Sequence, residues 1–337
     1  MKKLTVIVAI TLIALCAPAR AAGNAVEDAL ECHRTEIGLI PDAPLSAEKT
    51  YSAEVLVQEM QLRYLQDDRE RFDALYALMK KHFRSRLMLL YRRLDAYLTP
   101  TECENSVRTD LRACALLMRA GEEWGRPEYT RDGLKAAGRI RKFNVYRDVI
   151  THGASWTENR SGIFRINRIS HTLRLSDIDI GALQELRERL REWEEVTQRS
   201  LGILIAASSD GKAKSAYAID RRRYEDGNGD ATDELLIAYN LTLGGIVPLS
   251  TLEDITERLA AAPDLYTAGE NASLRAAALA VATLHASGKE DMARALAGRV
   301  EKGLATDMGL LCEKGGTPSA YDNLLWLTVR QTIDGGK

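Results

Sequence analysis

The chain has 337 residues, 45% of them hydrophobic, with 46 Lys and Arg against 48 Asp and Glu and a formal net charge of −2. There is no basic excess to neutralise a phosphate backbone, which excludes nucleic acid as a partner. The length and apolar share suit one large domain over 22–337 once a leader is set aside.

The leader is 1–21. Lys2 and Lys3 form a charged start, Leu4 to Leu15 an apolar run, and Ala19-Arg20-Ala21 a small-x-small cleavage site. The run is too short for a membrane span. Leu15 stands before Cys16 where a lipid-modified cysteine wants a small residue. The expected product is periplasmic or secreted, with no membrane span after cleavage. Its cysteines, Cys32, Cys103, Cys114 and Cys312, could form two disulfides in any of three pairings. Alternatively, Cys114, on an apolar helix face, is simply a buried thiol. The histidines at 33, 82, 152, 171 and 285 have no metal-ligand spacing, and no G-x-S-x-G, phosphate-binding or dinucleotide motif occurs. No metal or cofactor is expected.

Residues 22–49, with Pro41 and Pro44, read as an entry segment. Over 50–83, Val55, Leu56, Met60, Leu62 and Leu65 recur near the helical period, Asp67-Asp68-Arg69 breaks the pattern, and Phe72, Leu75, Leu78 and Met79 resume it. This is a helical hairpin with a carboxylate, Glu54, at its entry. Leu87 to Tyr97 is an irregular or extended bridge. A second hairpin carries Leu111, Ala115, Leu116 and Met118 on its first helix; Pro127 then opens the next, after a turn at Trp124-Gly125-Arg126. The stretch 143–180 is the least regular, while 181–206 reads as one long amphipathic helix. Further helices are expected from near Asp233 to Gly244, and over 250–262, 272–287, 289–304 and 319–333. Strand signals are nearly absent. The pattern predicts an all-α chain of about ten to twelve helices in short-linked, antiparallel pairs, and a closed ring of hairpins fits it.

Three acids, Glu54, Asp110 and Asp233, stand at or within the first turn of the first helix of a pair. In a closed ring those helix starts converge. Glycoside hydrolysis needs two such carboxyls, one to protonate the leaving oxygen and one to activate water or attack the sugar. Acids at helix starts also serve as caps and suit the helix dipole. Among the tryptophans, Trp156 in the irregular stretch and Trp124 at a hairpin turn are the candidate stacking platforms for sugar; Trp193 and Trp326 sit in apolar helical runs. The segment 226–234 has Asp226, Asn228 and Asp230 at alternating positions, as a calcium loop would. However, Ala231 and Ile237 replace the glycine and glutamate that such a loop needs, so a solvated turn is the expectation.

The stretch 53–73 resembles glycoside hydrolase family 8, in particular the periplasmic endoglucanase type. Glu54 and Met60 keep that family's spacing from acid to methionine, and Asp68-Arg69 and Phe72-Asp73 follow in register. Asn105-Ser106, Asp110, Ala115-Leu116-Leu117, Ala120-Gly121 and Trp124 follow its second hairpin, and Asp233 falls where its general base stands. The resemblance implies an (α/α)6 barrel that hydrolyses a β-linked polysaccharide with inversion. It implies Glu54 as general acid, Asp233 as the base and Asp110 in contact with the sugar, the two catalytic carboxyls lying roughly 6.5–9.5 Å apart. The sequence departs from the family at Val55, where a glycine follows the acid, at Gln58 for a tyrosine, at Leu236 for an arginine, and at Arg108-Thr109-Asp110 for an Asp-x-Asp pair. These departures leave a second reading: an inactive relative that binds polysaccharide or an export-machinery partner.

Overall fold

The computed structural model describes residues 25–158, 164–208, 214–226, 231–246, 249–268 and 272–335. The leader expected over 1–21 lies outside them. No described helix is long and apolar enough to cross a membrane.

The helices are α1 (25–32), α2 (Ala53–Leu65), α3 (Arg69–Leu78), α4 (Val107–Glu123), α5 (Pro127–Asn144), α6 (Ile180–Arg189), α7 (Glu194–Ser208), α8 (Ala231–Leu243), α9 (Leu249–Ala261), α10 (Leu274–Ala286), α11 (Glu290–Gly303) and α12 (Ala320–Ile333). The even-numbered helices form a ring. α2 packs on α4, α4 on α6, α6 on α8, α8 on α10, α10 on α12, and α12 returns to α2. Odd-numbered partners pack outside: α3 on α2, α5 on α4, α7 on α6, α11 on α10. Inner helix α10 is apolar nearly all round, as a helix buried on every side must be, whereas α4 and α6 also carry charged residues. In α10, every residue from Ala276 to Leu284 is buried. α11, an outer helix, buries only Ala293, Leu296, Ala297 and Val300, one stripe at helical spacing. This is an (α/α)6 barrel, as expected.

Three sequence expectations need correction. The helix expected over 181–206 is two helices: Leu190 adopts an extended backbone (φ −133°, ψ 101°) after α6, and a 3-10 turn over Arg191–Trp193 leads into α7. The chain must reverse here from the inner to the outer layer, and burial of Trp193 pins the reversal without Gly or Pro to announce it. The entry segment 22–49 contains α1. Finally, strands are present. Nine short ones occur among the described residues, five of them within 143–180: β3 (Val145–Tyr146), β4 (Val149–Ile150), β5 (Ala154–Glu158), β6 (Phe164–Ile169) and β7 (Thr172–Arg174). Those of two or three residues are too short to show alternation, whereas β5 (ASWTE) and β6 (FRINRI) do alternate at their starts, a signal that the reading of 143–180 as irregular passes over. β5 pairs with β6, and β7 joins a three-stranded sheet with β8 (Lys214–Ala218) and β9 (Arg223–Asp226). β1 (Tyr51–Ser52) pairs with β2 (Arg93–Leu94), which draws the bridge at 87–97 up to the start of α2.

The four cysteines among the described residues are free thiols: Cys32 is exposed, Cys103 partly so, and Cys114 and Cys312 are buried. Cys114 Sγ donates to the Gly133 carbonyl at 2.9 Å.

Candidate active site

All six inner helices begin at the same end of the ring. A cavity of about 230 Å³ opens there, and every inner helix start contributes to its wall: Glu54 from α2, Arg108 and Thr109 from α4, Asp177 just before α6, Asp233 from α8, Arg275 from α10 and Tyr321 from α12. Six helix N-termini direct their unpaired N–H groups and positive dipole ends toward this mouth, a setting that suits carboxylates and other anionic or electron-rich groups.

Glu54 and Asp233, far apart in sequence, thus share one cavity. Among the described residues neither makes a hydrogen bond or ion pair. The capping duty an acid at a helix start could serve is taken on α2 by Ser52, whose Oγ accepts from Val55 N at 3.3 Å. Val55, beside the acid, turns into the core and is absent from the cavity wall.

Asp110 is placed differently. It is 4% exposed and does not line the cavity. Its Oδ1 accepts from Leu90 N at 2.9 Å and its Oδ2 from Asn105 Nδ2 at 2.5 Å. Burial pushes its carboxyl up to about 7, against the pull of those two donors. Asn105 also accepts from Ala154 N at 2.8 Å, so Asp110 and Asn105 clamp the 90-loop and strand β5 around the start of α4. Gly153 belongs to the same clamp. A Cβ there would stand 2.5 Å from the Asn105 carbonyl oxygen, which only glycine avoids.

Neither candidate platform lines the cavity. Trp156 is 3% exposed and packs against Tyr91, ring centroids 5.6 Å apart. Trp124 follows the last residue of α4. About 25 Å of helix separates it from the mouth, and there Phe72 meets its ring edge-on at 5.0 Å and its Nε1 donates to Asp67 Oδ1 at 2.9 Å. The aromatic residue in the wall is Tyr321, with the Arg275 guanidinium 4.7 Å from its ring centre. Arg275 is held by Asp322 at 2.6 Å. Of the segment 226–234, residues 227–230 lie outside the described residues; among the described residues no cluster of ligands could hold a metal ion.

Beneath the mouth, a polar layer crosses the ring. Gln58 Nε2 donates to Thr328 Oγ1 at 2.8 Å, Arg112 Nη1 reaches Gln58 Oε1 at 3.4 Å, and Arg112 Nε binds Asp179. Burial alone would raise the Asp179 carboxyl, but Arg112 and then Arg108 hold it below the ordinary carboxylate range. Asp179 also caps α6, accepting from Ala182 N at 3.0 Å. This layer joins α2, α4, α6 and α12 and fixes the floor on which the acids stand.

A second cavity of about 280 Å³ adjoins the first. The 143–180 region contributes Ser155 from β5, Arg174 from β7, and His152 and Ser170 from the segments between strands, and the cavity shares Arg92, Ser106 and Asp177 with the first. Sequence reading missed Asp177. It lies in a 3-10 turn, Leu175–Asp177, at the end of the segment without periodicity. The one available signal was its place two residues before the Asp179 cap.

No family model matches the sequence, and no curated protein matches it. Solved structures match in fold. Endoglucanase Cel10, a family 8 glycosyl hydrolase from Klebsiella pneumoniae, superposes with a TM-score of 0.64 at 16% identity, over 92% of this chain and 99% of that one. A protein described as a novel alpha-amylase from Clostridium perfringens gives 0.81 at 14% identity, over 92% and 97%. PssZ from Listeria monocytogenes gives 0.72 at 16%, over 90% and 94%. At these identities the likeness is one of fold, and the fold of this chain is that of the family 8 glycoside hydrolases.

Proposed function

We propose that this chain is an exported glycoside hydrolase that cleaves a β-linked polysaccharide by inverting acid/base hydrolysis. Glu54 is the general acid that protonates the leaving glycosidic oxygen. Asp233 is the base that takes a proton from water as the water attacks the anomeric carbon from the opposite face. One observation carries the reading: Glu54 and Asp233, far apart in the sequence, line a single cavity with no hydrogen bond or ion pair on either carboxyl among the described residues. Carboxyls that the fold gathers and leaves unpaired are available to a ligand.

A second reading is a relative that binds polysaccharide, or an export partner, without cleaving it. Arg108 and Leu236 favour it, because both stand in the cavity wall at positions where the sequence departs from family 8.

Release of reducing ends from mixed-linkage β-glucan, carboxymethylcellulose, xylan and starch separates these readings. Starch belongs in the panel because one protein of similar fold is described as an alpha-amylase. Release from a β-linked polymer that disappears in Glu54→Gln is the expected result. Binding without release selects the second reading, and release from starch alone overturns the β-linkage.

A further inference from the structure

Asp177 and Asp179 belong to one turn and have opposite surroundings. Asp179 is fully engaged, capping α6 and pairing with Arg112. Asp177 has no hydrogen bond or ion pair among the described residues. It lines both cavities, and with Arg92 and Ser106 it forms the wall they share. Besides Arg92, and with the Glu54 carboxylate opposing them, two guanidiniums lie near enough to act on its charge, Arg108 from the first cavity and Arg174 from the second. Neither is ion-paired among the described residues, and Arg108 Nε is buried without a hydrogen-bond partner.

Asp177 is only partly buried, so water can reach it, but a carboxylate without donors near an Arg108 Nε that is buried without an acceptor is an arrangement folding alone does not require. The other arginines of the mouth are committed elsewhere: Arg92 to Glu104, Arg93 to Asp42, Arg275 to Asp322. Asp177 and its two arginines are what remains unmatched, and they stand where a ligand leaving the first cavity would enter the second. Sugar hydroxyls can donate to the carboxylate and accept from the guanidiniums, supplying both halves of the missing hydrogen bonds.

We propose that Asp177 is a third working carboxyl of this site, contacting the polysaccharide where the two cavities meet, so that the bound chain spans both cavities. This rests on the carbohydrate reading above. It gives Asp177 a contact with substrate that Asp110, its oxygens taken by Leu90 N and Asn105, does not supply.

The test uses the full-length mature protein carrying Glu54→Gln, so that ligand survives, with and without Asp177→Asn. Cellohexaose, xylohexaose and maltohexaose are titrated by calorimetry, and thermal unfolding is recorded for each variant. Asp177→Asn is expected to weaken the hexasaccharide that binds by about 10- to 100-fold, the scale of a hydrogen bond to a charged group, while the melting temperature stays the same or rises. Equal affinity in both proteins overturns the inference and leaves the carbohydrate reading standing. A lowered melting temperature with proportionate loss of all binding assigns Asp177 a structural role and also overturns it. If the Glu54→Gln protein binds none of the three, and the wild type releases no reducing ends, the carbohydrate reading falls and takes this inference with it.

Discussion

Glu54 and Glu59 lie on the same helix, little more than one turn apart, and the fold treats them in opposite ways. Glu59 is 1% exposed and surrounded by cations: Arg34 at 2.6 Å, Arg63 and Arg71 each at 3.7 Å. Arg34, Arg63 and Arg71 also reach Glu31, so the cluster ties α1 to α2 and secures the outer face of the barrel. Glu54, at the mouth, has no hydrogen bond or ion pair among the described residues, and the nearby Arg275 is tied to Asp322. The contrast separates acids that hold the fold from acids left without a hydrogen bond or ion pair among the described residues, and it runs through the molecule: Asp179 and Asp110 are engaged, Asp177 and Asp233 are not.

The sharpest way to break the comparison is to neutralise each glutamate in turn. Glu54→Gln is expected to lower kcat/KM on a susceptible polysaccharide by about 10²- to 10⁴-fold, the usual contribution of a general acid, with an unchanged melting temperature. Equal rates would remove Glu54 from the chemistry. Glu59→Ala should do the reverse. It removes the fully buried acid of the cluster and leaves Arg34, Arg63 and Arg71 to the more exposed Glu31, with Glu27 also on Arg63, and urea unfolding should show a loss of roughly 3–5 kcal/mol, as when one partner of a buried ionic cluster is removed. Activity per folded molecule should be retained.

A finer test uses pH. Burial, more than the opposing pull of Arg108 and Arg174, pushes the Asp177 carboxyl up to about 6. A carboxyl whose pKa is higher in the folded than in the unfolded state favours folding below its unfolded value, near 4. That contribution is lost as pH rises through 6. Denaturant unfolding of the wild type between pH 4 and pH 7 should show this loss, on the order of 2 kcal/mol, and Asp177→Asn should reduce it. Asp110, raised by burial to about 7, contributes in the same direction and keeps a residual slope in that variant. The smallest effect is expected at the far end of α4. Trp124→Phe removes the hydrogen bond to Asp67 and should cost about 0.5–1.5 kcal/mol, with kcat/KM within twofold of wild type. A large kinetic effect there would contradict its placement away from the mouth.

Much of this molecule could be read from its sequence, for a physical reason. Helical spacing over 53–65 and 107–123 is a local property, and acids at helix starts are visible as such, so Glu54 and Asp233 could be named before any fold was known. What convergence adds cannot be seen locally. Asp110 has the spacing of a site residue, yet its carboxyl turns to Leu90 N and Asn105, partners set by loops that periodicity does not describe. Asp177 lies among strands of two to six residues whose pairing partners are distant in sequence. The break at Leu190 has no glycine or proline to mark it, and Trp156 looked free only because β5 was not recognised as a packed strand.

The central claim is that Glu54 and Asp233 act across one mouth to drive a single displacement by water. Proton NMR of the first products released from a β-linked glucan tests it directly. The account predicts that the new reducing end appears first as the α-anomer and only later equilibrates. Initial appearance of the β-anomer would mean a covalent intermediate and would contradict the assignment of Asp233 as a base.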